Sequence, residues 1–207
     1  MFNLSLERIL ISIPVVLIAI TFHELGHALT AYSFGDQTAK NQGRLSLNPL
    51  RHLDPIGALM LLFMGFGWAK PVPVNPYNFR GNRKRSMMVV SAAGPAMNIL
   101  LALIASLFFY FFYNYLNSIT EVFLRTFILI NVFLASFNLL PVPPLDGSKI
   151  LAGLLPDKGA NFLYSIEAYG PMILVLLIVT RATSYLVMPI ANFLLNLINI
   201  IAFAIVF

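Results

Sequence analysis

An uncharged apolar run, residues 9–22, leads directly into His23-Glu24-Leu25-Gly26-His27, and this juxtaposition constrains the fold more than any other feature. The residues that follow the motif, 28–34, are also mostly apolar. About 20 apolar residues are enough for a helix to cross the ~30 Å hydrocarbon core of a membrane. Ionisable groups are costly at that depth and usually have a function. We therefore predict a membrane helix over 9–34 that carries a functional polar motif.

The composition also indicates an integral membrane protein. Of 207 residues, 59% are hydrophobic and 10% are charged, whereas soluble domains carry about 25% charged residues. The chain has no cysteine, which excludes disulfides and leaves His, Asp and Glu as possible metal ligands. The first run lacks the basic cluster of a secretory signal peptide, and its removal would destroy the motif. We therefore expect it to stay as a permanent span.

Hydropathy predicts an all-α polytopic membrane protein with about five transmembrane helices, in one membrane-embedded domain over 1–207. The core is expected at about 9–150 and the C-terminal helices at about 166–207. The predicted spans are 9–34, 86–113, 119–140, 170–180 and 185–207. The fourth is short, so it is either completed by residues before Gly170 or only partly inserted. Between the first two spans, 55–68 and the proline-rich 70–76 predict a re-entrant or strand-containing loop.

Basic residues are concentrated in one stretch of the chain. Eight of the thirteen Lys and Arg residues lie between 40 and 85, which is typical of a cytoplasmic loop. We therefore expect a multi-pass protein of the cell (plasma) membrane, with the motif towards the cytoplasmic face. The loop either contacts anionic lipid or only sets the topology. A net charge of +5 can indicate nucleic-acid binding. Here the charges belong to a membrane loop, so we expect no nucleic-acid partner.

The motif has the spacing of a metal site. On a helix, His23 and His27 lie one turn apart on the same side, so both imidazoles can reach one ion. Glu24 points beside that ion, where a carboxylate can accept a proton from a bound water. The alternative is a polar helix face that packs against another span. Two histidines and a carboxylate at this spacing favour the metal site.

A catalytic zinc site commonly has three protein ligands and one open position. The candidates for the third ligand are His52, Asp54, Glu121, Asp146, Asp157 and Glu167. Asp146 is favoured because three prolines within 141–144 stiffen the segment before it and Gly147 permits a tight turn after it. The alternative for Asp146 is an N-cap of the following helix, 148–155.

Four other residues are predicted to be structural. His52 suits a hydrogen-bonding role, and Asp54 before a proline suits a turn. Gly94 and Asn98 lie four residues apart in the second span, a spacing that favours helix packing. A position of Asn98 next to the metal site is the alternative.

Two motifs together resemble the site-2 protease family of intramembrane zinc metalloproteases. One is His23–His27 in the first span. The other begins at the end of the third span and reads Asn138-Leu139-Leu140-Pro141-Val142-Pro143-Pro144-Leu145-Asp146-Gly147. Further matches lie at 48–57, 67–72 and 94–98, in the order of the family. The resemblance covers about residues 20 to 150. It is to a compact form of the family, without PDZ or CBS domains.

This resemblance implies one Zn²⁺ per chain, with His23, His27 and Asp146 as its ligands. It further implies that Glu24 is the catalytic base and that Asn138 positions the substrate or stabilises the oxyanion. The expected reaction is hydrolysis of a membrane-protein substrate in or near its transmembrane segment. Residues 71–75 would hold the unwound substrate by strand addition. A metal transporter and an inactive scaffold are the alternative functions.

Overall fold

The computed structural model describes residues 6–57, 60 and 68–207, and this part of the chain is dominated by α-helices. The helices are α1 (Leu6–Ser33), α2 (Thr38–Asn41), α3 (Arg83–Phe111), α4 (Ser118–Asn138), α5 (Asp146–Leu154), α6 (Asp157–Ile166), α7 (Gly170–Val179) and α8 (Ala182–Val206). Short 3-10 turns lie at Pro49–Arg51, Pro76–Asn78, Tyr113–Tyr115 and Glu167–Tyr169. The protein is therefore all-α, as predicted.

Five helical segments are long and apolar enough to cross a membrane. They are Leu10–Ser33, Arg83–Phe111, Ser118–Asn138, Asp157–Val179 and Ala182–Val206. The fourth consists of α6, a 3-10 turn and α7 in succession, so the short apolar segment is completed by residues before Gly170. Proline at the start of α7 is tolerated because the first N–H groups of a helix have no intrahelical partner. These segments confirm a polytopic membrane protein.

The core lies where α1, α3, α4 and α8 meet. Its buried side chains are Val15, Ala102, Ala105, Phe109, Leu124, Phe127, Ile128, Val132, Ala135, Leu194 and Ile198. Several alanines are fully buried at the contacts between these helices. Small residues allow the close helix approach on which packing in lipid depends. The α6–α7 segment is peripheral, since 11% of its span is buried compared with 39% in α1.

The loop between α1 and α3 contains no strand in its described residues. Leu53 and Ala69 form an isolated antiparallel bridge, while 70–75 belongs to no strand. Prolines within 70–76 cannot donate to a strand ladder. The strand content predicted for 70–76 is therefore not observed. Most of 55–68, where a re-entrant segment was predicted, lies outside the described residues.

Candidate metal centre

Helix α1 places the two motif histidines side by side. His23 and His27 are both buried, and their Nε2 atoms lie 3.1 Å apart. Because the helix is unbroken from Leu6 to Ser33, the spacing of four residues brings both rings to one face. That face is directed at α3. The imidazoles thus converge on a single point between two membrane helices.

The third member of the group comes from the far end of the sequence. Asp146 Oδ2 lies 3.2 Å from the Nε2 atom of His23 and 3.2 Å from that of His27. Asp146 is the first residue of α5, where Leu145 occupies the cap position and no side chain caps the helix. The alternative prediction of an Asp146 N-cap is therefore not observed. The carboxylate points at the imidazoles instead.

Gly147 has a different role from the one predicted for it. A Cβ atom at this position would collide with the backbone carbonyls of Leu139 and Leu140. The glycine is thus required because the start of α5 approaches the end of α4 closely, and not because the chain turns there. This approach brings Asp146 back against α1.

The three groups fit a zinc ion. Nitrogen and oxygen ligands lie at about 2.0–2.1 Å from zinc, which puts tetrahedral ligands ~3.3 Å apart. The three ligand atoms here are 3.1–3.2 Å apart. Asp146 Oδ2 is buried and accepts no well-aligned hydrogen bond from the described residues. Burial raises the pKa of Asp146, but the two imidazoles outweigh it and hold the pKa well below its usual range. The carboxylate is therefore available as an anionic ligand.

Helix α3 supplies the space and the supports for this group. A Cβ atom on Gly94 would overlap His27 Nε2 and would lie 2.7 Å from His23 Nε2. His23 Nδ1 contacts Asn98 Oδ1 at 2.6 Å, and His27 Nδ1 donates to Val90 O at 2.8 Å. Neutral imidazoles that bind a metal through one nitrogen usually hold the other in such a bond.

Packing was the favoured prediction for Gly94 and Asn98, with a position of Asn98 next to the metal site as the alternative; the structure shows that alternative, and it places Gly94 against the histidines as well. The sequence signal for this position was their spacing of four residues. This spacing puts Gly94, which has no side chain, and the hydrogen-bonding side chain of Asn98 on one face of α3. That spacing matches the separation of His23 and His27 on α1. Whether the histidine face of α1 meets this face of α3 depends on the register in which the two helices pack, and this register cannot be derived from the residue spacing.

Glu24 lies beside the group of three ligand atoms. It is 8% exposed, and its Oε2 atom accepts a hydrogen bond from Val72 N at 2.8 Å. The buried Arg44 donates to Lys70 O in the same segment. Burial lowers the pKa of Arg44, while the nearby Glu24 carboxylate acts in the opposite direction. Residues 70–72 therefore pass between a buried carboxylate and a buried guanidinium.

Asp36 fixes this loop to the end of α1. It is fully buried and accepts four hydrogen bonds, from the backbone and hydroxyl of Thr38, the backbone of Asn75 and the amide of Asn78. Burial raises the pKa of Asp36, but these hydrogen bonds outweigh it and hold the pKa below its usual range. The sequence analysis assigned no role to Asp36.

We expect Asp36→Asn to lower the stability of the protein by about 2 kcal/mol, because charge-assisted hydrogen bonds are lost. A carboxylate with a lowered pKa contributes its full stability above its usual pKa of about 3.9 and loses it as the pH falls through the lower folded value. The difference from wild type should therefore shrink on acidification below about pH 4. Thermal unfolding in detergent measures this, and the exposed Asp157→Asn is the control. Equal stability of wild type and Asp36→Asn at pH 7 would contradict it.

Three other candidate residues form hydrogen bonds of their own. His52 is fully buried, and its Nε2 atom contacts Ser46 O at 2.8 Å. Asp54 accepts a hydrogen bond from Gly57 N at 2.9 Å. Asn138 ends α4, where its amide donates to Leu134 O at 3.0 Å. Among the described residues, the group of His, Asp and Glu side chains that could hold a metal is His23, His27 and Asp146.

Comparison with known proteins relates the chain to metallopeptidases. The model of peptidase family M50 matches residues 11–121 and 113–180. "Putative zinc metalloprotease YwhC" of Bacillus subtilis is 41% identical over 86% of this chain and 84% of its own length. "Putative zinc metalloprotease Rip2" of Mycolicibacterium smegmatis is 30% identical over 80% of this chain and 65% of its own length. No solved structure matches the chain.

Proposed function

The chain belongs to peptidase family M50 and is a zinc metalloprotease, and from this we propose that it hydrolyses peptide bonds in or near the membrane-spanning segments of other membrane proteins. The observation that carries the proposal is the group formed by the buried His23 and His27 and the largely buried Asp146. Its histidines lie within a helix that is long and apolar enough to cross a membrane. A hydrolytic site at that position is close to peptide bonds that soluble proteases cannot reach.

In this proposal, the Nε2 atoms of His23 and His27 and the Oδ2 atom of Asp146 hold one zinc ion per chain. When bound there, zinc supplies a Lewis acid that polarises the scissile carbonyl and makes water a better nucleophile near neutral pH. Donors of this type, without thiolate, suit zinc. The negative charge of Asp146 compensates part of the charge of the ion.

Glu24 is the proposed general base. Its carboxylate takes the proton of the attacking water and delivers it to the leaving amine. Val72 N–H holds one carboxylate oxygen, which restricts the orientation of the side chain. Asn138 is the proposed donor to the developing oxyanion. An Asn amide has two N–H groups, and Leu134 O takes one of them, so the other is available for this role.

The proposed substrate is a membrane protein with a transmembrane segment that unwinds locally, because a helical peptide bond is shielded by its own hydrogen bonding. Residues 71–75 belong to no strand, and because Glu24 and Asp36 hold the N–H groups of Val72 and Asn75, we propose that the backbone carbonyls of this segment accept hydrogen bonds from the unwound substrate. The integral membrane protein is proposed to reside in the plasma membrane with its active site towards the cytoplasm, because the basic loop precedes α3. The same loop is proposed to contact anionic lipid headgroups.

The test is zinc content and proteolysis of the full chain purified in detergent. We expect about one zinc ion per wild-type chain and cleavage of a single-span membrane protein in liposomes. His23→Ala and Asp146→Ala should lose both, because two ligands hold zinc poorly. Asp157→Ala removes an exposed carboxylate and is the matched control, which should keep both.

Two results would contradict the proposal. Zinc binding of wild-type strength in Asp146→Ala would show that the ligand set is wrong. Movement of zinc across the membrane of sealed vesicles that contain the protein, without cleavage of the single-span protein, would indicate a transporter instead. An inactive scaffold would bind the single-span protein and leave it intact.

A further inference from the structure

We propose that Asn131, in the middle of α4, acts through Asn98 to keep the ring proton of His23 on Nδ1, so that the Nε2 lone pair faces the metal position. This inference rests on the proposed function, because it concerns the same site. Asn131 has no hydrogen bond to the metal-ligand side chains among the described contacts. It is therefore a positioning residue and not a ligand.

Asn98 and Asn131 are fully buried in two predicted membrane spans. A buried amide is costly there unless all of its polar atoms find partners. Asn131 Nδ2 donates to Phe127 O at 2.9 Å. Asn98 Nδ2 donates to Asn131 Oδ1 at 2.9 Å and to Ala19 O at 3.0 Å. Asn98 Oδ1 then lies 2.6 Å from His23 Nδ1. The chain of bonds thus links α4, α3 and α1.

The direction of every bond in this chain follows from its two ends. A backbone carbonyl can only accept a hydrogen bond. Phe127 O therefore requires the NH₂ group of Asn131, which turns the Asn131 oxygen towards Asn98. Ala19 O likewise requires the NH₂ group of Asn98, whose second N–H meets the Asn131 oxygen.

The remaining atom of Asn98, its oxygen, can only accept, so Nδ1 of His23 must carry the proton. In a neutral imidazole the other nitrogen, Nε2, is then left with its lone pair. This is the nitrogen that lies 3.2 Å from Asp146 Oδ2. Two backbone carbonyls therefore determine, through two side-chain amides, which nitrogen of His23 can bind zinc.

His27 provides an internal comparison. Its Nδ1 atom donates directly to Val90 O, so a backbone carbonyl fixes its proton in one step. His23 depends on two side chains for the same result. Loss of the Asn131 amide would leave one N–H of Asn98 buried without a partner, and Ala19 O alone would hold the orientation of Asn98. The effect should therefore fall on His23 and spare His27.

The first arm of the test is zinc affinity, measured by competition with a chelator on the full chain in detergent. Loss of a partner that orients a metal ligand typically weakens binding by about 10–100-fold. We expect Asn98→Leu to fall in that range and Asn131→Leu to weaken binding about tenfold, at its lower end. Ser136→Ala is the matched control, because its buried hydroxyl also bonds to a carbonyl of α4, Val132 O at 2.7 Å, but has no described bond to α3. It should leave zinc affinity within about twofold of wild type.

The second part of the test measures which ring nitrogen of His23 carries the proton, and how fast that proton exchanges, in the metal-free protein. The chain has three histidines, so histidine-selective ¹⁵N labelling gives three imidazole rings. In wild type we expect the His23 Nδ1 atom to be protonated and its proton to exchange slowly with water. In Asn131→Leu that proton should exchange faster, while the His27 Nδ1 proton is unchanged. Faster exchange at both rings would indicate general loosening of the bundle and would overturn the inference.

The inference and the proposed function fail in different ways. A wild-type chain that binds no zinc would overturn the proposed function, and the exchange of the His23 proton would still decide the inference. Wild-type zinc affinity and wild-type exchange at His23 in folded Asn131→Leu would overturn the inference alone. Circular dichroism of each variant establishes that it is folded.

Discussion

Glu24→Gln is expected to keep about one zinc ion per chain and to lose peptide hydrolysis by about 10²–10⁴-fold, the usual contribution of a general base. Gln cannot accept a proton from water, yet it keeps the length of Glu and can accept the hydrogen bond from Val72 N. The proposed ligands His23, His27 and Asp146 are unchanged. Zinc content and cleavage of a single-span membrane protein in liposomes, measured on the same preparation, test this expectation.

The matched control is Glu121→Gln, which makes the same chemical change at a partly exposed carboxylate paired with Arg125. It should cleave at the wild-type rate. Cleavage by Glu24→Gln at that rate would assign the proton transfer to another group. The same variant separates the competing functions, because a metal transporter or a scaffold carries out no hydrolysis and would largely keep its function without this carboxylate.

The features of this protein that could be predicted from sequence are those that depend on residues close together in the chain. Long apolar runs predicted the membrane helices, because a helix must satisfy its own backbone in lipid. The spacing of His23 and His27 predicted that their rings share a face, because helix geometry is fixed. The prolines before Asp146 indicated a stiff segment. The structure brings this carboxylate to the two imidazoles.

The parts that could not be predicted depend on how distant segments meet. Asn98 lies 75 residues from His23 in sequence, and only the packing of α3 against α1 brings the two together. Polar residues in a span more often serve packing, so packing was favoured for Asn98 and a position beside the metal site was the alternative. The loop that includes 70–76 was predicted to be re-entrant or to contain strands; no strand forms at 70–76, where Glu24 and Asp36 take the N–H groups of Val72 and Asn75. Two carboxylates thus replace a strand partner.

The second large effect is expected from a single methyl group. Gly94→Ala should weaken zinc binding by more than about 100-fold, beyond the loss usual for an outer partner. The added Cβ would overlap His27 Nε2 and lie 2.7 Å from His23 Nε2. The rings cannot simply turn away, because Asn98 Oδ1 and Val90 O hold their Nδ1 atoms. Chelator competition on the purified chain measures the affinity.

Gly159→Ala is the control, since the atoms nearest to its added Cβ belong to the side chain of Leu155, at 3.2 Å or more. It should bind zinc as wild type does. Alanine is favoured over glycine in a helix, so a loss of zinc in folded Gly94→Ala comes from the clash and not from a weaker helix. Zinc binding of wild-type strength in Gly94→Ala would mean that the rings can move away from α3. Asn98 and Val90 would then not be what holds them in place.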